Sequence, residues 1–183
     1  VDFFSNVPGL GLAGDVEKDF YGVELDFGPT TQTFHIGRAS AAVPGTLPGI
    51  CSVHERWGRL PLSEVVAPAV EQLREGVEST KFSGVAAGLL APILAMSEVG
   101  KELFWREGRL LSGGDTYTNP ALAATLERLA RLGWRAYHED ELWPQLLDLF
   151  GPRAGGLLTR QDLEAFEVTF SPAFDFGYRG ARL

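Results

Sequence analysis

The sequence predicts an α+β protein, a mostly helical stretch flanked by strands. Three observations carry this. Near the start, "YGVELDFG" alternates Val23, Leu25 and Phe27 with Glu24 and Asp26, the period of a half-buried strand. From residue 43 onward, apolar residues recur at spacings of three and four between Pro and Gly punctuation, as amphipathic helices require. At the end, "EVTFSPAFDFGYRGARL" returns to an aromatic pattern that reads as strands. The chain is read as one partial domain over 1–183, β-rich over 1–40, mostly helical over 43–165 and with returning strands over 166–183.

Taken in order, "VDFF" reads as a short apolar strand. "YGVELDFG" and "TQTFHIG" are expected to pair across the turn "GPTT", because Gly and Pro break the alternation there. In "VPGTLPGICSVHERWGRLP", Ile50, Val53, His54 and Trp57 mark one helix face and Gly58 the stop. "LSEVVAPAVEQLREG" repeats the scheme, with Ser63 as N-cap, Pro68 in an early turn and Gly76 as stop. "KFSGVAAGLLAPILAMSEVG" is an apolar helical run, expected to break near Pro92.

The clearest helix is "NPALAATLERLARLG". Asn119 caps free N–H groups, and Pro120 loses nothing at the first helical position, where its missing N–H would have no partner anyway. Leu122, Leu126, Leu129 and Leu132 are read as its apolar face, with Gly133 the stop. "HEDELWPQLLDLFG" gives another helix, ending at Gly151. "LTRQDLEAF" opens with Thr159 and Asp162 three residues apart, the spacing of a capping box.

Composition excludes some classes of function. The 183 residues are 45% hydrophobic and 22% charged, with net charge −8, which fits an ordinary globular chain and disfavours nucleic acid and anionic membrane surfaces as partners. No apolar run is long enough to span a bilayer, and no signal peptide is visible. The sixteen basic residues include only Lys18, Lys81 and Lys101 as lysines; this Arg bias is taken as the mark of a GC-rich, bacterial genome. Cys51 is the single cysteine, so no intrachain disulfide is possible and the compartment stays open between cytoplasm and periplasm or exterior.

The residues alone give weak active-site signals. Gly9, Gly11 and Gly14 in "GLGLAG" match the dinucleotide spacing Gly-x-Gly-x-x-Gly. No helix follows to hold a pyrophosphate, so a flexible glycine loop is expected and no cofactor. Cys51 and His54 lie three apart on a helix, but nothing nearby lowers the thiol pKa, and His35 and His138 are not at paired spacing for a metal. A buried Cys beside a packed His is expected, with no metal site. Asp2, Glu24 and Asp26 are candidate acid–base carboxylates, read mainly as ordinary strand acids. Gly113, Gly114 and Asp115 read as a turn, and so do Gly155 and Gly156. Trp57, Trp105, Trp134 and Trp143 are read as core or subunit contacts.

Longer segments carry a resemblance. "AAVPGTLPGICSVHERWGRLPLSEVVAPAVEQLREG" resembles the γ-glutamyltransferase (γ-glutamyltranspeptidase) family in its Pro-Gly segment Val43 to Gly49, its turn Trp57 to Pro61 and its helix Pro68 to Gly76. "LFWREGRLLSGGDTYTNPALAATLERLARLG", "GGLLTRQDLEAFEV" and "FGYRGARL" are similar to later stretches of the same family, in family order.

The resemblance implies an Ntn hydrolase with an αββα sandwich. The family precursor cleaves itself, and the new N-terminal Thr of its small subunit attacks a γ-glutamyl amide, with its own amine as base. The acyl group then passes to water or an amino acid. That nucleophile lies outside this chain, so no catalytic residue is assigned in it. The absence of an initiator Met and the abrupt ending after "YRGARL" lead us to expect an internal piece of the large subunit, structural and pocket-lining, inactive alone. Its expected partners are the remainder of the large subunit, the small catalytic subunit and a small γ-glutamyl or acyl amide substrate. Homo-oligomers of the piece are expected from unpaired strand edges.

One site residue follows from the resemblance. The family motif "D-f-R-E-x-A-P" carries an Arg that grips the substrate α-carboxylate. The matching run here is "DFFSNVP", with Phe4 at the Arg position and Ser5 at the Glu position. Phe cannot bind a carboxylate. Two alternatives to a γ-glutamyltransferase-like enzyme therefore stand: an acylase of the same fold acting on an apolar acyl amide, and a non-catalytic scaffold homologue.

Overall fold

A computed structural model describes residues 1–182. The expected α+β class holds, with helices over the middle of the chain and short strand pairs around them. Strands β1 (Tyr21–Asp26) and β2 (Thr31–Ile36) form an antiparallel hairpin in the register Tyr21 to Ile36. Alternation sends Leu25 into the core at 1% exposure. Phe27, expected on the same face, lies past the end of β1 and is exposed. "VDFF" is not a strand. It is extended chain tied by one bridge, Asp2 to Thr169.

Helix α1 (Thr46–Trp57) ends at Gly58, whose N–H donates to the His54 carbonyl. Its buried face differs from the expected one. Pro48, Gly49 and Cys51 are buried, while Ile50 and Trp57 are more than half exposed. Helix α2 (Leu62–Glu75) starts one residue before Ser63, with Pro61 at the N-cap position and no side-chain cap. Pro68 lies inside it, and Gly76 ends it with a φ of 104°, a conformation that favours Gly.

Strand β3 (Val77–Glu78) then leads to α3 (Lys81–Leu94), capped by the Thr80 side chain. α3 passes through Pro92 and stops at Leu94, two residues later than expected. α4 (Glu98–Phe104) and the pair β4 (Trp105–Arg106) and β5 (Arg109–Leu110) follow. Strand β6 (Thr116–Tyr117) pairs with β3. That pairing sets the C-terminal end of α2 against the start of α5 (Pro120–Leu132): the Asn119 N–H donates to the Leu73 carbonyl at 2.8 Å, and Arg74 grips Glu127 with two bonds of 2.8 and 2.6 Å.

α5 keeps the expected Asn119 cap, Pro120 start and Gly133 stop. Its buried residues are Ala123 and Leu129, whereas Leu122 and Leu132 are exposed. A continuous helical run then covers α6 (Trp134–Ala136), a π-helical turn over Tyr137–Leu142 and α7 (Trp143–Phe150), ending at Gly151 as expected. The short helix α8 (Arg160–Ala165) has the full Thr159–Asp162 capping box. The closing segment is extended, with the Thr169 bridge and the small hairpin β7 (Gly177–Tyr178) and β8 (Ala181–Arg182).

The apolar core has two centres. Val43, Trp143, Leu158 and Leu163 form one, with Phe166 packed against it. Cys51, Leu129 and Tyr137 form the other, with Leu47 and Leu62 around it. α1 joins them: the chain just before it enters the first, and its middle lies in the second. Of the N-terminal segment, Phe3 rests against α1 at Gly49.

Candidate functional site

The N-terminal segment is fixed at three points. Asp2 and Thr169 exchange two backbone bonds of 2.8 Å, and the Val43 N–H donates to the Asn6 carbonyl at 2.9 Å. The N–H groups of Gly9 and Leu10 donate to the Asp162 carboxylate at 2.9–3.0 Å. Between these ties the chain is extended, so successive side chains point to opposite sides.

Phe3 points inward onto α1. A Cβ at Gly49 would lie 2.1 Å from the Phe3 ring, and one at Gly45 would lie 2.2 Å from the Phe3 carbonyl oxygen and 2.4 Å from the Phe166 ring. The "PGTLPG" segment is thus small because an aromatic strand rests on the helix backbone. Phe4 points outward and is 83% exposed.

Two shallow clefts flank Phe4. One, of about 430 Å³, is lined by residues including Asp2, Ser5 and the Pro44–Thr46 start of α1. The other, of about 460 Å³, includes Asp2, Asn6, Glu167 and Thr169. Their charged lining residues are Asp2 and Glu167, and no Arg or Lys lines either cleft. Asp2 accepts the Phe4 N–H at 2.9 Å. The first turn of α1 supplies roughly half a positive charge, set against the full negative charge of Asp2.

The other sequence candidates do not assemble. Cys51 is 2% exposed, and burial, then the charge of Glu55, push its thiol up to about 11. It stays a neutral thiol. His54 turns its Nε2 to the Leu60 carbonyl at 3.0 Å. Glu24 accepts from the Thr33 hydroxyl, and Asp26 accepts the Gly28 N–H at 2.7 Å; both are taken up by the β1–β2 hairpin. His35 stacks on Phe20. His138 is buried between Trp134 and Trp143, and its Nε2 accepts from the Trp143 indole at 3.4 Å. Burial lowers its pKa, against a smaller opposing effect of Glu139. Among the described residues, no group of three His, Cys, Asp or Glu side chains is placed to hold a metal ion.

The glycine loop has a definite role. Gly9, Gly11 and Gly14 all have positive φ, and no helix follows them. The anion their neighbourhood holds is internal, the carboxylate of Asp162. Burial alone would raise the pKa of that carboxyl. Bonds from Gly9, Leu10 and Thr159 outweigh this and hold it below the usual range. Asp162 was legible as a capping residue but its grip on the N-terminal segment was not, because the partners lie about 150 residues apart. Glu167 and the clefts carried no sequence signal either.

Comparison with known proteins gives a consistent picture. The sequence profile of the family described as Gamma-glutamyltranspeptidase matches residues 13–183. Glutathione hydrolase 3 of Arabidopsis thaliana is 28% identical over 145 residues, 79% of this chain and 23% of that protein. The glutathione hydrolase proenzyme of Escherichia coli is 29% identical over 77% of this chain and 24% of its own length. Glutathione hydrolase 5 proenzyme of Mus musculus is 35% identical over 68% of this chain and 22% of its own length. The chain thus spans about a quarter of the curated relatives it matches.

Among solved structures, Helicobacter pylori γ-glutamyltranspeptidase superposes over 100% of this chain and 50% of its own, with TM-score 0.76 and 21% identity. Cephalosporin acylase from Bacillus halodurans superposes over 77% of this chain and 27% of its own, with TM-score 0.65 and 26% identity. The matches come from plants, animals and bacteria, so they do not restrict the source to bacteria. No helix among the described residues is long and apolar enough to cross a membrane.

Proposed function

The chain belongs to the γ-glutamyltranspeptidase family, and on that premise we propose that it forms part of the large subunit of an Ntn-type amidohydrolase or acyltransferase. The observation that carries this is the family match over residues 13–183, supported by relatives named as glutathione hydrolases. In this reading the complete protein holds the αββα sandwich, cleaves itself, and attacks an amide with the N-terminal Thr of its small subunit. The acyl-enzyme then passes its acyl group to water or an amine. This chain supplies no nucleophile. It braces the fold and walls the acyl pocket at Phe4, with the small subunit and the rest of the large subunit as partners.

A second reading concerns the substrate, and the surroundings of Phe4 favour it. The matched span starts at residue 13, so the placing of Phe4 at the family's Arg position rests on "DFFSNVP". An Arg there would meet a substrate carboxylate with a charge-assisted pair. Phe4, Asp2 and Glu167 offer an apolar face and two negative charges instead. A γ-glutamyl α-carboxylate entering these clefts would meet repulsion, whereas an apolar acyl group would bury against the Phe4 ring. The structural likeness to a cephalosporin acylase is in keeping with an acyl amide substrate.

The test uses the full-length protein with γ-glutamyl-p-nitroanilide and an apolar acyl-p-nitroanilide. Self-cleavage into two subunits and turnover of the acyl anilide at least tenfold above the γ-glutamyl one is the expected result. Phe4→Arg is expected to narrow or reverse that ratio. An uncleaved, inactive protein would support the scaffold alternative. Efficient γ-glutamyl turnover that Phe4→Arg leaves unchanged would remove Phe4 from the pocket.

A further inference from the structure

The acids beside Phe4 are placed there by strand register. Asp2 and Thr169 exchange both backbone bonds as an antiparallel pair. The next pair of that kind, two residues on, would set Phe4 opposite Glu167. That rung is not made, because the Phe4 N–H donates to the Asp2 carboxylate instead. The cleft of about 460 Å³ opens at this point. Asp2 and Phe4 line it from one segment, Glu167 and Thr169 from the other. Alternate residues of a strand share a face, and opposite residues of a pair share it too, so the register accounts for all four.

The chemistry of this face is one-sided. Its middle is the exposed Phe4 ring, its charged groups are the Asp2 and Glu167 carboxylates, and no Arg or Lys lines it. Elsewhere the chain gives acids a cation: Glu127 takes Arg74, Asp115 takes Arg109 and Glu141 takes Arg128. Asp2 and Glu167 form no ion pair among the described residues. An aromatic face attracts a cation, a carboxylate forms its stronger hydrogen bonds with one, and an aliphatic stem can lie on apolar surface while its charged head stays among polar groups. A γ-glutamyl group carries an ammonium and a carboxylate on one carbon, so it brings this face a repulsion with every attraction.

We propose that the acyl group accepted at Phe4 ends in a cation: an apolar stem lies on the Phe4 ring, and its ammonium is held by Glu167 and Asp2. This rests on the reading of Phe4 as a wall of the acyl pocket and adds the substrate class. Glu167 becomes the residue that determines specificity, at a position no sequence motif marks.

The experiment compares three p-nitroanilides of matched acyl length on the full-length protein: hexanoyl, 6-aminohexanoyl and adipoyl. The aminohexanoyl anilide is expected to exceed the hexanoyl one in kcat/KM by roughly fivefold, the scale of two solvent-screened charge pairs, with the adipoyl anilide slowest. Added salt should shrink that advantage. Glu167→Gln should bring the ratio down towards one through a higher KM for the aminohexanoyl anilide, and Glu167→Lys should turn the preference towards adipoyl. Equal turnover of the aminohexanoyl and hexanoyl anilides overturns the proposal. So does a ratio that both Glu167 variants leave unchanged, the result expected if another segment of the protein covers this face. If no acyl anilide is turned over, or the γ-glutamyl anilide outruns the hexanoyl one, the acyl-pocket reading fails and this inference with it. If hexanoyl is preferred to γ-glutamyl and the added ammonium gains nothing, only this inference fails.

Discussion

The tether at Asp162 makes a quantitative prediction. Its carboxylate is 2% exposed and receives the N–H groups of Gly9, Leu10 and Thr159 at 2.8–3.0 Å. The Thr159 hydroxyl lies 2.9 Å from both Asp162 and the Leu10 carbonyl; its one hydrogen is shared between them. Asp162→Ala strands three backbone donors and half of the α8 capping box. A lost bond to a charged group costs about 1.5–3 kcal/mol; the Thr159 cap itself remains, because its hydroxyl still accepts the N–H of residue 162. Water reaches the Gly9 side once the carboxylate is gone, so the sum is discounted to about 3 kcal/mol. Asp162→Asn keeps one acceptor oxygen and should cost about half as much.

Urea unfolding at pH 7 measures this directly. Hydrogen exchange at Gly9 and Leu10 should accelerate together with the loss, since both amides are released at once. The sign with pH follows from the lowered pKa. A carboxyl held below its unfolded value of about 3.9 stabilises the fold above that pH, and the contribution is lost as pH falls through the folded value. Asp162→Asn should therefore flatten the acid limb of the stability curve below about pH 4. A cost under about 0.5 kcal/mol for Asp162→Ala, or an acid limb unaltered in Asp162→Asn, would refute the tether.

Three further outcomes are expected. His138 is held neutral by burial, so wild-type stability should begin to fall as pH drops below about 6.5, where the unfolded His takes up a proton and the folded one does not; His138→Phe should lack that slope in urea titrations between pH 7 and 5. Gly49→Ala should cost about 1–3 kcal/mol by displacing the Phe3 ring, and in Phe3→Ala the same change should cost far less, a coupling that a double-mutant cycle reads out. The Cys51 thiol, pushed up to about 11, should resist a disulfide reagent at pH 8 in the native chain and react on unfolding; rapid native labelling would contradict its burial.

Local chemistry made helix ends legible. Asn119, Pro120 and Gly133, Thr159 with Asp162, and Gly58 and Gly76 act within a few residues of themselves, so their sequence spacing determines the outcome. Helix faces were less legible. Large apolar residues pointed to Ile50 and Trp57 in α1 and to Leu122 and Leu132 in α5, but Gly49, Cys51 and Ala123 are the buried ones. Close packing selects small residues where another element comes near, and a search for large apolar side chains passes over them. Ser63 failed as a cap because α2 starts at Leu62, directly after Pro61. The motif singled out Phe4, whose place in a substrate pocket is the proposal put to the substrate test above. Its acidic surroundings were not legible, because Asp2 and Glu167 meet only through a bridge between the two ends of the chain.

Phe3 and Phe4 show why the site can be probed cleanly. They are the same residue type in adjacent positions, with opposite fates. Phe3 rests on Gly45 and Gly49, so truncating it opens a void and costs about 3 kcal/mol or somewhat less for a half-buried ring. Phe4 is 83% exposed and gives little to this fold, so replacing it should change stability by less than about 0.5 kcal/mol. Arg is long enough to keep its charge in water at that position, and Asp2 and Glu167 beside it favour a cation. A change in substrate preference in Phe4→Arg therefore reports on the pocket rather than on folding, provided the two proteins unfold at the same urea concentration. The inward residue carries the architecture, and the outward one can be replaced without disturbing it, as the proposed substrate test requires.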